Sequence, residues 1–281
     1  MGSTPVHYAT LAGCRLAYTR RGTDRRAFVF LHGGASNHED WEAQYDRLED
    51  DFTVVGLDHR GHGKTQVDDP TTSTIPQLAA DAIQLMDQLA INTAVFVGHS
   101  FGTRVALKAA VDYPHRTAGV VLVDGSRVWR GDRNVVQQSQ EIQFVDLLAA
   151  YRKIFEESFF EGSDPAIRAR LMPLIDDCDP VALETIARST GEWDSAGAAA
   201  QLGGIDKPVF AIQTTYVDYL TTRYSLPAGT LTTPYLDFLR DHLKHLQVRI
   251  VSGYGHYVQL EAPTLVNDTL RVFAESLPWS P

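Results

Sequence analysis

Two spacings of apolar residues repeat along the chain. Short runs that are almost continuously apolar, such as Ala27–Leu31, predict buried strands, because a strand covered on both faces carries apolar side chains at every position. Segments in which apolar residues recur every three or four positions, such as Leu78, Ala82 and Leu85, predict helices with one buried face. The predicted strands cover residues 7–12, 14–18, 27–31, 52–57, 94–97, 119–124, 207–212 and 248–252.

The predicted strands alternate with predicted helices, which indicates an α/β fold with a mostly parallel sheet flanked by helices. The alternation stops once, after Ser126, and a strand pattern resumes only at Lys207. Between them the sequence predicts helices over residues 135–160, 165–175, 181–189 and 195–202. An insertion of this length between two strand ends is expected at the ligand-binding edge of the sheet. We therefore predict a core of residues 1–126 and 203–281 and a helical cap of residues 127–202.

One turn between a strand and a helix carries a candidate nucleophile. The predicted strand over residues 94–97 leads into Gly98-x-Ser100-x-Gly102, and a helix follows as far as Pro114. A serine on so sharp a turn has a crowded backbone, so small residues are needed two positions to either side. The turn exposes the hydroxyl at a helix N-terminus, where the dipole favours developing negative charge. The pattern predicts a nucleophile elbow with Ser100 as the nucleophile.

A serine hydroxyl needs a base within hydrogen-bonding reach. His256 is the best candidate, because it follows the last predicted strand and comes after Ser100 in the chain, as the order Ser, acid, His requires. Four other histidines are interpreted as turn or bracing residues, and His38 stays undecided between a structural and a pocket position. The four are His32, His59, His62 and His99.

Attack on a carbonyl also needs two N–H donors for the developing oxyanion. The residue after the nucleophile, Phe101, is expected to supply one of them. Gly34, in the glycine turn that follows Ala27–Leu31, is expected to supply the other, since a residue without a Cβ lets the backbone approach the substrate closely.

Composition narrows the possibilities further. The 281 residues carry a net charge of −10, which does not favour binding to nucleic acid or to an anionic membrane. Two cysteines, Cys14 and Cys178, indicate reduced thiols rather than a disulfide framework, and no Cys/His spacing indicates a metal. The N-terminus has neither a basic region nor an apolar stretch, and no apolar run approaches 18 residues. We expect a soluble cytoplasmic monomer or homodimer that acts on a small molecule.

Four motifs together make the sequence resemble the α/β-hydrolase family over essentially its whole length. They are Leu31-His32-Gly33-Gly34, Leu57-Asp58-His59-Arg60-Gly61-His62-Gly63, Gly98-His99-Ser100-Phe101-Gly102 and Gly253-Tyr254-Gly255-His256. The resemblance implies the α/β-hydrolase fold, with Ser100 as nucleophile, His256 as base, and Gly34 and Phe101 as oxyanion donors. It does not specify the substrate, because the fold hosts many chemistries.

The sequence departs from the family at the acid of the triad. Family members usually carry this acid in a Gly-x-x-Asp turn after the strand that corresponds to residues 209–212. Here no glycine follows that strand, and Asp218 is displaced into a long loop. A minority of the family places the acid one strand earlier, where Asp124 stands. We predict Asp124, because the end of a buried strand holds a carboxylate more rigidly than a loop does, and keep Asp218 as the alternative.

The resemblance implies an enzyme, and the leading hypothesis is a serine hydrolase that cleaves a carboxylic ester or a lactone of a small, fairly apolar substrate. This chemistry requires neither a metal nor an organic cofactor. The alternative is an oxidoreductase, since the placement of the acid also resembles the cofactor-free quinolone dioxygenases built on this fold. In those enzymes the histidine deprotonates a heteroaromatic hydroxyl and O₂ attacks the resulting anion. A binding protein that has lost turnover is disfavoured by the intact set of serine, histidine and acid.

Overall fold

A nine-stranded sheet runs through the residues that the computed structural model describes, which are 4–127, 144–218 and 222–279. Its strands are β1 (His7–Leu11), β2 (Cys14–Arg21), β3 (Ala27–Leu31), β4 (Thr53–Leu57), β5 (Gln66–Val67), β6 (Ala94–His99), β7 (Thr117–Val123), β8 (Val209–Gln213) and β11 (Leu246–Ile250). The order is β1-β2-β4-β3-β6-β7-β8-β11, with β5 beside β2. Every pair from β4 to β11 in this order is parallel, whereas β1, β2 and β5 pair antiparallel. The sheet is therefore mostly parallel, as the sequence predicts.

Helices cover both faces of the sheet, because alternate side chains of each strand point to opposite sides. Phe28 and Phe30 of β3 join one apolar cluster, and Val29 and Leu31 join the other. The first cluster is closed by α1 (Glu42–Leu48) and α10 (Pro263–Glu275), and the second by α2 (Ile75–Gln88), α3 (Gly102–Asp112) and α8 (Pro234–His242). The continuous apolar runs of the sequence thus reflect burial on both faces.

Among its described residues, the segment between β7 and β8 contains helices and no strand. It contains α4 (Phe144–Glu156), α5 (Pro165–Leu171), α6 (Pro180–Glu192), a π-helical turn (Trp193–Gly197) and α7 (Ala198–Gln201). Side chains from α4 and α6, such as Phe155 and Leu183, pack in a third apolar cluster with Tyr257 of the core. Residues 128–143, which include Trp129 and the first part of the helix expected over 135–160, lie outside the described residues. The boundary of the cap stays a prediction.

The hairpin after β8 was not predicted, and neither was the two-residue strand β5. The long loop after β8 forms a two-stranded antiparallel hairpin of β9 (Thr215–Val217) and β10 (Arg223–Ser225). These strands have three residues each and are only partly buried, so the sequence shows no apolar periodicity there and predicts an irregular loop. No helix among the described residues is long and apolar enough to cross a membrane.

Candidate active site

Ser100 occupies the sharp turn between β6 and α3. Its backbone has a φ of +52°, a strained conformation for a residue with a side chain. The flanking glycines are required by space: a Cβ at Gly98 would lie 2.2 Å from the carbonyl oxygen of Gly102, and one at Gly102 would lie 2.3 Å from that of Leu31. The Ser100 N–H donates to the carbonyl oxygen of Val123 at 3.0 Å, which ties the turn to β7. The side chain is partly exposed at the carboxyl edge of the sheet.

Asp124 and His256 meet at the same edge of the sheet. Asp124 follows β7 with a φ of +44°, and its Oδ2 accepts a hydrogen bond from His256 Nδ1 at 2.6 Å. Both side chains are buried. The His256 N–H donates to the carbonyl oxygen of Ser158, which follows α4, at 2.8 Å. With its proton on Nδ1, His256 keeps Nε2 available as a base.

The carboxylate of Asp124 is held by several further donors. Oδ1 accepts from the N–H groups of Thr214 and Thr215, both at 2.8 Å, and from Gln213 Nε2 at 3.0 Å. Oδ2 accepts from Thr215 Oγ1 at 2.5 Å as well as from His256. Burial raises the pKa of Asp124, while Arg223 and these hydrogen bonds oppose that rise. The acid is therefore fixed in one orientation toward the histidine.

Asp218, the alternative acid, lies elsewhere. It stands at the end of β9, and its Oδ1 accepts from the N–H of Thr222 at 2.9 Å. Its own N–H donates to the carbonyl oxygen of Thr222 at 3.0 Å. These contacts close the hairpin turn. The structure thus brings Asp124, and not Asp218, to His256.

Burial and charge together set the state of His256. Burial lowers the pKa of His256 well below its usual value, and the Arg223 guanidinium lowers it further. A histidine in this environment is neutral at neutral pH, which is the state that accepts a proton. The arrangement is suited to general-base chemistry.

The candidate oxyanion donors lie next to Ser100. A Cβ at Gly33 would approach Ser100 Cβ to 3.3 Å, so the glycine turn after β3 runs beside the nucleophile. Neither the Gly34 N–H nor the Phe101 N–H donates to another described residue. The space that a Cβ at Gly34 would need is occupied by the ring of Tyr151 from α4, at 3.1 Å. The turn therefore lies between the core and the inserted helices.

The remaining histidines that the sequence singles out brace the surrounding loops. His62 Nε2 accepts from the N–H of Ala35 at 3.0 Å, which fixes the glycine turn. His38, left undecided by the sequence, is buried with Nδ1 2.7 Å from Asp58 Oδ1, so it holds two loops together. Burial and the neighbouring His62 lower the pKa of His59 to about 3. We assign these residues a structural role.

Arg223 is a residue of the site that sequence reasoning missed. Its side chain is 7 % exposed, with Nη1 2.6 Å from Thr215 Oγ1 and 3.4 Å from Asp124 Oδ2. The unusual length of the loop after β8 was the available signal, but nothing in the local pattern distinguished this arginine from a solvated one.

A second ion pair joins the elbow helix to the inserted helices. Arg104 of α3 donates to Asp194 of the π-helical turn from Nε at 2.9 Å and from Nη2 at 2.6 Å. Both side chains are buried. Arg104 also donates to the carbonyl oxygen of Ser126 at 2.7 Å. This contact fixes the inserted helices against the helix that begins at the nucleophile.

A cavity of about 260 Å³ lies beside Asp124. It is lined by residues from the ends of β7 and β8, from β9 and from the start of α8: Gly125, Ser126, Arg127, Gln213, Tyr216, Val217, Thr233, Pro234 and Tyr235. Ser100 and His256 do not line it.

Comparisons with known proteins identify the fold independently. A family model described as the alpha/beta hydrolase fold matches residues 26–159. Over 116 residues the chain is 38 % identical to the dihydrolipoyllysine-residue acetyltransferase component of the acetoin cleaving system of Cupriavidus necator, a match that covers 41 % of this chain and 31 % of that protein. The first three curated relatives are matched over 31 %, 41 % and 32 % of their lengths.

Proteins that match over most of the chain are less similar in sequence. A 3-oxoadipate enol-lactonase of Acinetobacter baylyi is 23 % identical over 255 residues, which is 89 % of each chain. The crystal structure of an enol-lactonase from Burkholderia xenovorans superposes with a TM-score of 0.78 at 21 % identity, covering 96 % of this chain and all of that one. These matches show a shared fold from β1 to α10.

Proposed function

We propose that this chain, which has the α/β-hydrolase fold, is a serine hydrolase that cleaves a carboxylic ester or a lactone of a small, fairly apolar substrate. The observation that carries the proposal is the 2.6 Å hydrogen bond between Asp124 and His256 at the sheet edge where Ser100 is exposed. A buried acid that orients a neutral histidine, at the sheet edge that also carries a strained serine, is the arrangement expected of an activated hydroxyl.

In the proposed reaction Ser100 Oγ attacks the carbonyl carbon while His256 Nε2 takes its proton. Asp124 holds the Nδ1 proton and stabilises the imidazolium that forms. His256 then returns the proton to the leaving alcohol oxygen, and an acyl-enzyme remains on Ser100. A water molecule, deprotonated by His256, releases the acid. For a lactone the leaving alcohol stays attached to the acyl group, so the product is one hydroxy acid.

The N–H groups of Phe101 and Gly34 are the proposed donors to the oxyanion. Donors already fixed by the fold stabilise charge that develops in the transition state without reorganising. The helix α3 adds its N-terminal dipole at the same place. The bond from Ala35 to His62 and the ring of Tyr151 would hold the glycine turn in position.

Two observations support an apolar ester or lactone as the substrate class. Tyr257, next to His256, stacks on Phe159 with ring centroids 5.6 Å apart and packs near Phe155 at 5.9 Å, so the surroundings of the candidate base are apolar and aromatic. The distant similarity to enol-lactonases supports a lactone in particular. We propose that residues 127–202 form a cap that limits substrate size.

Labelling with a fluorophosphonate probe tests the proposal, because an activated serine beside an oxyanion hole reacts with phosphorus electrophiles. We expect the wild type to be labelled and to hydrolyse members of an ester and lactone panel. Ser100→Ala is expected to lose labelling and at least roughly 10³-fold in kcat. Ser195→Ala, which removes an exposed hydroxyl, is the matched control and keeps both. Hydrolysis by Ser100→Ala at the parent rate would refute the mechanism.

The position of the acid favours a second candidate, a cofactor-free dioxygenase of heteroaromatic substrates. Asp124 follows β7, the strand next to the nucleophile strand, as in the quinolone dioxygenases that the sequence resembles. In this reaction His256 removes a hydroxyl proton, O₂ adds to the anion, and ring opening releases carbon monoxide. Turnover of a quinolone that stops under nitrogen would establish it. Activity that is indifferent to O₂ on every substrate would exclude it.

A further inference from the structure

Arg223 is the first residue of β10, on the hairpin that the sequence does not predict. Its guanidinium reaches from the hairpin to the acid: Nη1 donates to Thr215 Oγ1 at 2.6 Å and lies 3.4 Å from Asp124 Oδ2. Thr215 Oγ1 in turn donates to Asp124 Oδ2 at 2.5 Å. The cation thus contacts the acid both directly and through one hydroxyl.

The hairpin itself does not need a buried cation. Taking a guanidinium out of water costs several kcal/mol, and a short surface hairpin can be closed by exposed residues. Arg223 Nε is buried and has no partner among the described residues, so the desolvation is only partly compensated. What offsets it is the pairing with Asp124. The position of this side chain is therefore explained by the acid rather than by the hairpin.

Several charged or titratable groups face Arg223 from different elements. Glu157, at the end of α4, accepts the Arg223 backbone N–H at 3.2 Å. The other groups interact with Arg223 electrostatically: Asp124 after β7, Arg104 of α3, His99 of β6, and His256 and Tyr257, which precede the short helix α9 (Val258–Glu261). Asp124 is the acidic group within 4 Å of the guanidinium among the described residues.

A fixed positive charge at this place acts on both members of the pair. It favours the carboxylate of Asp124 over the carboxylic acid, and it disfavours a second positive charge on His256. Its presence lowers the pKa of both groups. The histidine is thereby kept neutral as a base, and its imidazolium becomes a stronger acid toward the leaving group.

We propose that Arg223 is a positioning residue of the triad, which holds the carboxylate of Asp124 toward His256 and keeps His256 neutral by its charge. This inference rests on the proposed function. Arg223 acts through Asp124 and Thr215 and does not touch the reacting atoms. The hairpin β9–β10 is then the element that brings a third charge to the catalytic pair.

The test compares a neutral and a charged substitution. Arg223→Gln and Arg223→Met remove the cation, so the pKa of His256 rises and the acid limb of the pH profile of kcat/KM moves up by about one unit. Arg223→Lys keeps the charge, so we expect the midpoint of the acid limb to stay within about 0.3 pH unit of the wild-type value. Its kcat is expected to be lower, because the contact with Thr215 is lost. Arg240→Gln, which removes an exposed arginine of α8, is the matched control and leaves the profile unchanged.

A titration without substrate separates this inference from the proposed function. The ring Cε1–H resonance of His256, assigned with His256→Gln, reports its pKa by NMR in each folded variant even if no ester is cleaved. An unchanged midpoint in Arg223→Gln or Arg223→Met overturns the proposal and leaves Arg223 a purely structural residue. If the neutral variants do not fold, Arg223→Lys still tests the proposal. A pKa of His256 in this variant that is raised by the about one unit expected for the neutral substitutions would contradict a role of the charge.

Discussion

Replacing Asp124 by asparagine changes one oxygen to an NH₂ group and removes the charge. The structure fixes which oxygen is replaced. Oδ1 accepts from three N–H donors, from Thr214, Thr215 and Gln213, so a donor at that position would face three other donors. The NH₂ group therefore takes the place of Oδ2, because its partners there, His256 Nδ1 and Thr215 Oγ1, can accept a hydrogen bond instead of donating one, which the backbone N–H groups at Oδ1 cannot.

At that position the amide donates a hydrogen bond to His256. Nδ1 then has to accept it, so the imidazole proton moves to Nε2 and the histidine can no longer take the proton of Ser100. The imidazolium also loses its counter-charge while Arg223 stays nearby. By analogy with the serine-protease triad we expect a loss of roughly 10⁴ in kcat, which is about 5 kcal/mol of transition-state stabilisation.

The assay measures kcat for Asp124→Asn on the best ester or lactone found, beside Asp218→Asn as the matched control. Far-UV circular dichroism and thermal unfolding verify that both variants are folded. Asp218→Asn is expected to retain most of the activity, because Asp218 bonds to its own hairpin turn. If Asp124→Asn kept more than about a tenth of the activity, or if Asp218→Asn showed the large loss instead, the assignment of the acid would be wrong.

Three further outcomes follow from the described contacts. Gly102→Ala places a Cβ against backbone atoms and should lower the free energy of unfolding by about 1–3 kcal/mol, whereas Gly204→Ala, with no atom nearby, should not; equal melting temperatures would contradict this. Activity requires neutral His256, and the pKa of His256 is lowered. We therefore expect kcat/KM to fall with decreasing pH only below about pH 6.5. A midpoint of this fall above about pH 6.5 would refute the reasoning. Arg104→Met removes the buried cation that pairs with Asp194 and should cost about 3–5 kcal/mol in urea unfolding; a change below 1 kcal/mol would show that the pair does not anchor the inserted helices.

The nucleophile elbow is a structure that could be predicted from the sequence around Ser100. An apolar run followed by glycines two positions to either side of a serine predicts strand, turn and helix, and the structure has β6, Ser100 and α3 in that order. The reason is steric, because a Cβ at Gly98 would clash with Gly102, four positions later, and a Cβ at Gly102 would clash with Leu31 of the neighbouring strand β3. The parallel sheet could be predicted likewise, since burial on both faces imposes an apolar residue at every position of a strand.

The hairpin β9–β10 is an element that could not be predicted from its local sequence. Its strands have three residues each and no periodic pattern, and they are defined by their pairing and by the contact of Arg223 with the acid. The sequence predicted a loop of unusual length. The approach of its Arg223 to a carboxylate 99 positions away depends on how β7 and β8 lie side by side.

The sequence by itself therefore determined the class of fold, the nucleophile turn and the identity of the candidate base, because each follows from spacing or steric needs within a short stretch. It narrowed the acid to two residues. Only the tertiary structure shows which of the two carboxylates lies beside the histidine, with Asp124 2.6 Å from a residue 132 positions later, and only it brings Arg223 to the pair. The physical reason is that charges and hydrogen bonds act over a few ångströms in space, which chain spacing does not encode.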